Sequence, residues 1–358
     1  MMAEQDQPSF DRYSRQMSFG PIGTAGQQQL AECHVLIVGA GALGSTSAET
    51  LVRAGVGHVT IIDRDYVEWS NLQRQQLYTE ENVRQRMPKA IAAKQHLERI
   101  NANVQIDAYV LDARGEDLER LITGVDLIMD ACDNFETRFI LNDIAAKYRI
   151  PWIYGACIGS YGLSYTILPG DTPCLSCMMD IIPNGGESCD VDGIIAPAVQ
   201  MVVAHQTAEA FKLLTGNHDA LHRKLVSFDL WNNQYTAINI QAMKKQGCSS
   251  CGDQATYPYL QSPATEKAAI LCGRDTVHLR PSEAMKLDLR TLSEQIRQYH
   301  SRQLQVDIMN DFLLSAHRDE QRIVLFVDGR ALVHGTTDIQ AARQLYIQMI
   351  NISTVSTR

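Results

Sequence analysis

The run Val35-Leu36-Ile37-Val38-Gly39-Ala40-Gly41-Ala42-Leu43-Gly44 constrains this chain more than any other stretch. Four consecutive apolar residues read as a buried strand, and the glycines behind them predict a tight turn that opens a helix. In such a unit Gly39 permits the turn. Gly41 lets a phosphate or ribose approach the backbone, and Gly44 lets the helix lie close against the strand. The helix is expected to run to Ala54 and to end at Gly55 and Gly57. The next strand, Val59-Thr60-Ile61-Ile62, delivers Asp63 about 20 residues beyond the turn, the distance at which a carboxylate holds a ribose hydroxyl. A lone Gly-x-Gly-x-x-Gly is weak evidence. With a strand before it, a helix after it and an acid at this distance, it predicts a nucleotide-binding βαβ unit. NAD and FAD sites share this pattern, so the residues downstream must separate a redox cofactor from anything else.

Length and charge bound the rest. A chain of 358 residues holds one large α/β domain and a small one. It contains no stretch of about 18 apolar residues, so no membrane span is expected. Residues 1–10 are polar and acidic and lack the apolar core of a secretion signal, so a cytoplasmic protein is expected. A net charge of −9 without basic clusters argues against a nucleic-acid face. Nine cysteines in such a chain point to metal binding or catalysis rather than to a disulfide framework.

Residues 1–32 read as an N-terminal arm that contains Asp11-Arg12-Tyr13-Ser14-Arg15-Gln16. By residue type alone, Arg12 and Arg15 are solvated surface. After Asp63 the segment 64–75 is irregular and dense in hydrogen-bonding groups, which is not how a dehydrogenase continues. It carries Ser70-Asn71-Leu72-Gln73-Arg74, in which Asn71 and Gln73 suit ribose or carboxylate oxygens and Arg74 suits a phosphate gripped by two parallel bonds. A helix is expected from Pro88, with proline in its first turn, Lys89 at its positive end, and a buried stripe of Ala90, Ala93, Leu97 and Ile100. Strands are expected over 104–110 and 125–131. The second of these brings Asp130-Ala131-Cys132-Asp133-Asn134 to the edge where open α/β sheets bind ligands. Asp133 or Asn134 caps the helix expected over 137–148, and an aspartate so placed near phosphates is also the usual anchor for Mg²⁺.

Two Cys-x-x-Cys pairs, Cys174/Cys177 and Cys248/Cys251, predict one tetrahedral Zn²⁺ site that staples distant parts of the domain. A redox dithiol in each pair is the alternative. Between the pairs, residues 182–193 read as a loop with two glycine sites and several acids, and it carries Cys189, by residue type alone a spectator thiol. A long helix is expected over 196–214, with Val199, Val202, Val203, Ala210 and Leu214 as its apolar positions, while Cys132 and Cys157 read as buried packing at strand ends. Residues 256–263 read as a linker, and 264–358 as a small α+β unit. That unit has strands over 268–271 and 276–279, a helix over 291–300 and a hairpin turning at Asp328-Gly329. A last helix follows over 338–350. No cysteine-arginine loop of a rhodanese kind is evident there, the nearest match being Cys272-Gly273-Arg274.

Taken together, Arg12-Tyr13-Ser14-Arg15-Gln16, the turn at 39–44, Asp63-Arg64-Asp65 with Ser70-Asn71-Leu72-Gln73-Arg74-Gln75, Lys89, and Asp130-Ala131-Cys132-Asp133-Asn134 resemble the MoeB/ThiF family, over about residues 10–255. Two departures stand out. Ala42 sits where many members have glycine, although the contact there would be a backbone N–H. Gln85-Arg86-Met87-Pro88-Lys89 replaces the commoner Gly-x-x-Lys lead-in.

The resemblance implies an α/β fold with a Rossmann-like mixed sheet, helices on both faces and a Cys₄ zinc staple over 33–255. The small C-terminal α+β domain follows. It implies ATP-dependent adenylation of the C-terminal glycine of a ubiquitin-like sulfur carrier ending in Gly-Gly, serving thiamine or molybdopterin synthesis. ATP, Mg²⁺ and Zn²⁺ would be the cofactors and a homodimer the assembly. ATP would be held by Gly39, Gly41, Ala42, Gly44, Asp63, Ser70, Asn71, Leu72, Gln73, Arg74, Lys89, Asp133 and Asn134. Arg74 and Lys89 would neutralise phosphate charge, Asp133 would hold Mg²⁺ and Arg15 would reach into the neighbour's site. Cys189 would take up carrier or sulfur in some members. An NAD- or FAD-dependent oxidoreductase and a non-catalytic adaptor for a ubiquitin-like protein are the competing readings.

Overall fold

Strand β1 forms at His34–Val38 and its parallel neighbour β2 at His58–Asp63. Between them the chain turns at Gly39 and enters helix α3 (Ala42–Ala54), which Gly55 ends in a left-handed cap at φ +84°. The computed structural model describes residues 10–179, 193–261, 267–270, 275–283, 285–299 and 303–354. The chain divides into two units, Met1–Gln261 and Ser262–Arg358.

The first unit opens with α1 (Ser14–Met17) and α2 (Gly23–Glu32) ahead of β1. After β2 come α4 (Glu80–Arg84), α5 (Lys89–Ile100), β3 (Gln105–Val110), α6 (Gly115–Leu121), β4 (Leu127–Asp130) and α7 (Phe135–Tyr148). The chain continues through β5 (Trp152–Ile158), β6 (Tyr161–Ile167), α8 (Leu175–Met178), α9 (Ala196–Leu214), β7 (Leu225–Asp229) and β8 (Gln234–Ile238). The strands form one eight-stranded sheet in the order β3-β2-β1-β4-β5-β6-β7-β8. It is parallel from β3 to β5 and antiparallel from β5 to β8.

Alternation along the strands explains the two layers of helices. Leu36, Val38, Ile128 and Trp152 face a core shared with α6, α7 and α8. Val35, Ile37, Val59, Ile61, Met129 and Ile153 face the opposite core, with α2, α3, α5 and the end of α9. The start of α9 covers β7 through Val199, Val202, Val203 and Phe228. The sequence pattern did not reveal β5 and β6. Both are buried over most of their length, so they show no period-two alternation.

Register places the ligand edge. Val38 pairs with Ile62 on one side and Asp130 on the other, so Gly39, Asp63 and Ala131 leave the sheet at one level. Gly39 takes φ +101°, and a Cβ there would stand 2.3 Å from the Ala131 carbonyl oxygen. A Cβ at Gly44 would stand 1.8 Å from the Gly39 carbonyl oxygen. Only glycine fits either position.

Several boundaries differ from the sequence expectation. Pro88 is the N-cap of α5 rather than its first residue, and α7 starts at Phe135. Cys132 is buried, but Cys157 is half-exposed rather than buried. Within the expected linker, the Tyr259 N–H donates to Asp143 Oδ2 at 2.8 Å and its ring stacks on Phe139 at 4.5 Å, so Tyr259 packs on α7.

The second unit contains β9 (Lys267–Ile270), β10 (Thr276–Arg280), α10 (Leu289–Tyr299), β11 (Gln305–Met309), β12 (Leu313–Arg318), β13 (Gln321–Phe326), β14 (Ala331–His334) and α11 (Ile339–Thr354). Its strands form an antiparallel sheet in the order β11-β12-β13-β14-β10-β9. Leu292 and Ile296 of α10 and Ala342, Leu345 and Met349 of α11 share one core with the inward residues of that sheet. Cys272-Gly273-Arg274 lies outside the described residues.

Candidate active site

The turn after β1 is bound to the ends of β2 and α5. Asp63 Oδ2 accepts the Ala40 N–H at 2.6 Å, and its Oδ1 accepts the Asp65 N–H at 2.7 Å. Each oxygen keeps a lone pair for a hydroxyl donor. Burial pushes the Asp63 carboxyl up, against the pull of Lys89. Lys89 opens α5 and is 5% exposed. Its N–H donates to the Asp65 carbonyl at 2.9 Å, and its Nζ lies 3.3 Å from Asp65 Oδ2. The buried Tyr78 hydroxyl lies 2.6 Å from the Ala40 carbonyl and 3.2 Å from the Lys89 carbonyl, clamping the turn to the start of α5. Neither α3 nor α5 has a side-chain cap at its N-terminus, and although the Lys89 N–H is taken by the Asp65 carbonyl, no side chain blocks the rest of either first turn from an anion.

The segment after β2 forms a 3₁₀ turn over Trp69–Asn71. Asn71 is 1% exposed; its Oδ1 accepts the Glu68 N–H at 3.0 Å, while its Nδ2 has no partner. Gln75 Oε1, also buried, has none either. A Cβ at Gly41 would meet only Gln75 Nε2, at 3.9 Å. An open backbone position beside the Gln75 amide, whose oxygen is orphaned, suits a polar ligand. Arg74 is half-buried, with its Nη1 donating to the Ser70 carbonyl at 2.9 Å, while Ser70 and Gln73 are exposed and Leu72 packs against the core.

A buried network holds the end of β4. Asp130 Oδ2 accepts from Arg138 Nε at 3.0 Å, and Arg138 Nη2 donates to the Cys132 and Gly155 carbonyls at 2.7 and 2.8 Å. Gln206 Nε2 donates to the Asp130 carbonyl at 2.8 Å. From this base Asp133 projects outward, its side chain 75% exposed, with Oδ1 3.5 Å from Arg64 Nη2. Partial desolvation pushes the Asp133 carboxyl up, and the Arg64 guanidinium, helped by the Asn134 amide and Lys89, holds it below its usual value. Asn134 is the cap of α7: its Oδ1 accepts the Thr137 N–H at 2.9 Å and its Nδ2 donates to Asp133 at 3.0 Å.

Arg15 is not brought to this edge. It is exposed on α1, whose neighbour Tyr13 packs against Gly55 and accepts from Asn101 Nδ2 at 2.8 Å. Gly55 ends α3, whose 13 residues at 1.5 Å each span about 20 Å, so Tyr13 sits at the end of α3 away from the Gly39 turn. Cys189 lies outside the described residues. Arg86, three residues before Lys89 where the commoner lead-in has glycine, takes φ +45°. The backbone of a glycine is thus kept without the residue.

The four cysteines form a separate centre. Their sulfurs lie within 4.8 Å of one another. Cys174 is 3.6 Å from Cys248 and 3.8 Å from Cys177, and Cys177 is 3.6 Å from Cys251. Tetrahedral zinc with ligands at about 2.3 Å sets sulfurs about 3.8 Å apart, so this donor set fits the ion. Four sulfurs in one cluster do not fit two independent dithiols.

The ThiF family model matches residues 13–250. The sulfur carrier protein ThiS adenylyltransferase of Bacillus subtilis (strain 168) is 51% identical over 339 residues, 95% of this chain and 99% of that protein. This chain belongs to the ThiF family. The molybdopterin-synthase adenylyltransferase of Escherichia coli (strain K12) is 33% identical over 253 residues, 70% of this chain and all of that one. The crystal structure of E. coli MccB with ATP matches with a TM-score of 0.59 at 22% identity, over 68% of this chain and 74% of that chain, which shows a shared fold.

In this ThiF-family chain, sequence reasoning missed Arg64, Tyr78, Arg138 and Gln206 as parts of the edge. Arg138 left one signal: it stands in helical register with Leu141 and Ala145, a charge on a buried face. Tyr78 and Gln206 left none, because their partners are backbone carbonyls from distant segments.

Proposed function

We propose that this chain adenylates the C-terminal carboxylate of a ubiquitin-like sulfur-carrier protein ending in Gly-Gly, and that the carrier is ThiS-like. One observation carries the reading. The Gly39–Gly41 turn, the Asp63 carboxylate and the buried Lys89 cation meet at one sheet edge, in a chain 51% identical to a ThiS adenylyltransferase along nearly all of its length. Nothing favours hydride transfer or a non-catalytic adaptor.

The carrier carboxylate is ionised at neutral pH, so its attack on the α-phosphorus of ATP needs no general base. The bond from α-phosphorus to the bridging oxygen breaks, pyrophosphate leaves and an acyl-adenylate remains. Negative charge gathers on the phosphates, and fixed donors lower its energy. The backbone N–H groups from Gly41 to Gly44 and the side chains of Arg74 and Lys89 supply them, Asp63 holds the ribose, and Asn71 offers its unpaired Nδ2. Ser70, Leu72 and Gln73 shape the same segment. Asp133 would hold Mg²⁺, which when bound neutralises phosphate charge; Asn134 orients Asp133. Zn²⁺ at Cys174, Cys177, Cys248 and Cys251 would hold the fold together and take no part in the chemistry. Arg15, on the α1 end of the unit where Tyr13 packs against the far end of α3, would complete the site of a second copy in a homodimer. Cys189 would accept carrier or sulfur after adenylation.

Carrier-dependent ATP–pyrophosphate exchange tests this reading. Label should enter ATP with a ThiS-like carrier and not with the same carrier lacking its last glycine. Silence with every Gly-Gly carrier, from folded and metal-loaded protein, overturns the reading. Mixing Arg15→Ala with Asp133→Ala subunits should restore part of the exchange, since one site of each hybrid dimer is intact. No recovery in proven hybrids removes the role of Arg15.

A further inference from the structure

Arg64 stands among three carboxylates. Its Nη1 is 3.3 Å from Asp112 Oδ1, its Nη2 is 3.5 Å from Asp133 Oδ1 and its Nε is 3.9 Å from Asp65 Oδ1. The three acids come from the ends of β2, β3 and β4, so the sheet itself gathers them around Arg64, with Lys89 on the far oxygen of Asp65. We propose that Arg64 is a resident counter-cation of Asp133 which the divalent ion of a bound metal–ATP complex displaces, with Asp112 as the pivot that retains Arg64. This inference rests on the reading of Asp133 as the metal anchor.

The two partners differ in what they can give up. Asp112 is 8% exposed, and taking the guanidinium from it would remove a close cation from a nearly buried carboxylate, which is disfavoured. Asp133 is 75% exposed, so losing the guanidinium returns it to water or hands it to another cation at small cost. Exchange therefore falls on Asp133. A divalent ion binds through one or two carboxylates, phosphate oxygens and water, and repels a guanidinium on the same carboxylate. Both cations cannot hold Asp133 at full strength, so Arg64 sets how much metal the enzyme needs. The three acids would repel one another in the ligand-free state, and Arg64, with Lys89 beside Asp65, keeps them together until the metal arrives.

Mn²⁺ serves as the probe, titrated into full-length protein saturated with a non-hydrolysable ATP analogue and followed by the resonance signal of the free ion. Arg64→Gln should tighten Mn²⁺ binding about fivefold, the factor that corresponds to a solvent-accessible ion pair of about 1 kcal/mol. Without nucleotide or metal, Arg64→Gln should lower Tm, and the deficit should shrink when both are added. Unchanged or weaker Mn²⁺ binding in Arg64→Gln overturns the inference, the weaker result meaning that Arg64 aims Asp133 at the metal. The double change Arg64→Gln with Asp112→Asn removes the buried charge together with its partner. It should show the same tightening where Arg64→Gln alone folds poorly, and its failure to do so counts equally against the proposal. Asp133→Asn separates the two readings. If it binds Mn²⁺ as the unaltered protein does, the metal role of Asp133 fails; if it loses Mn²⁺ while Arg64→Gln shows no tightening, only the exchange fails.

Discussion

The nucleotide edge and the cysteine centre belong to the same unit, and both join segments far apart in sequence, yet they are finished differently. Around the cysteines most of the polar groups are paired, Asp143 Oδ1 being a buried exception. Asn142 accepts the Leu175 N–H at 2.8 Å and donates to Ser176 Oγ at 3.3 Å, and Ser176 meets Ser250 at 3.1 Å. The Lys245 N–H points at Cys177 Sγ at 3.4 Å. At the nucleotide edge Asn71 Nδ2 and Gln75 Oε1 are buried without partners, two helices begin uncapped, and Asp133 is tied to an arginine across the surface. On the proposed reading, a place for a permanent ion would be held by groups already bonded to one another. A place for a ligand that comes and goes keeps donors waiting and accepts the loss of stability.

That contrast breaks first at the cysteines. Cys248→Ser should remove the bound metal and destabilise the first unit by several kcal/mol, because binding of a structural zinc is folding free energy. Tm and metal content measured together check this, and an unchanged Tm in the metal-free variant would falsify the staple. At the other region the split should reverse. Asp133→Ala should lower ATP–pyrophosphate exchange by about 10²–10³-fold while Tm moves by no more than about 2 °C, as expected for an exposed side chain whose work lies in charge stabilisation. A large Tm loss would make Asp133 structural and blur the comparison.

Smaller effects sharpen it. Arg149 ends α7 in the left-handed region at φ +57°, where glycine is at ease. Arg149→Gly should stabilise the protein by about 0.5–1 kcal/mol, read as a higher urea midpoint, without changing exchange. A loss of exchange would tie this end of α7 to the site. The last effect concerns pH. His34 and His58 stack at 3.6 Å at the opposite edge of the sheet, and burial first, then His58, hold His34 below its usual 6.5. The unfolded chain then takes up the His34 proton more readily than the folded one. This contribution to stability is full above about pH 6.5 and falls away as the pH drops below it. His34→Gln should flatten the fall in Tm between pH 7 and 5, and an unaltered slope would move its cause elsewhere.

Much of the nucleotide edge was legible because its physics is local. Gly39 and Gly44 are read from close approaches of neighbouring backbone, and Asn134 from the N–H groups of the turn that follows it. The cysteine cluster was legible because two Cys-x-x-Cys pairs leave few other arrangements. The antiparallel half of the sheet was not. β5 and β6 are buried on both faces and lose their alternation, and β8 is an exposed edge strand with little apolar signal. The segment 256–263 looks like a linker from its prolines and polar residues, but the bond from Tyr259 to Asp143 depends on the distant helix α7.

By itself the sequence determined the βαβ unit, the place of the turn, the acid that follows it and the pairing of four thiols. Each depends on residues a few positions apart or on a side chain with a single efficient use. Only the tertiary structure decided that Arg64 would gather Asp65, Asp112 and Asp133, that Arg138 and Gln206 would hold the end of β4, and that Tyr13 of the N-terminal arm would pack against Gly55 at the end of α3. Those arrangements depend on which strand ends the parallel register brings to one level, and no local pattern of residues encodes that register.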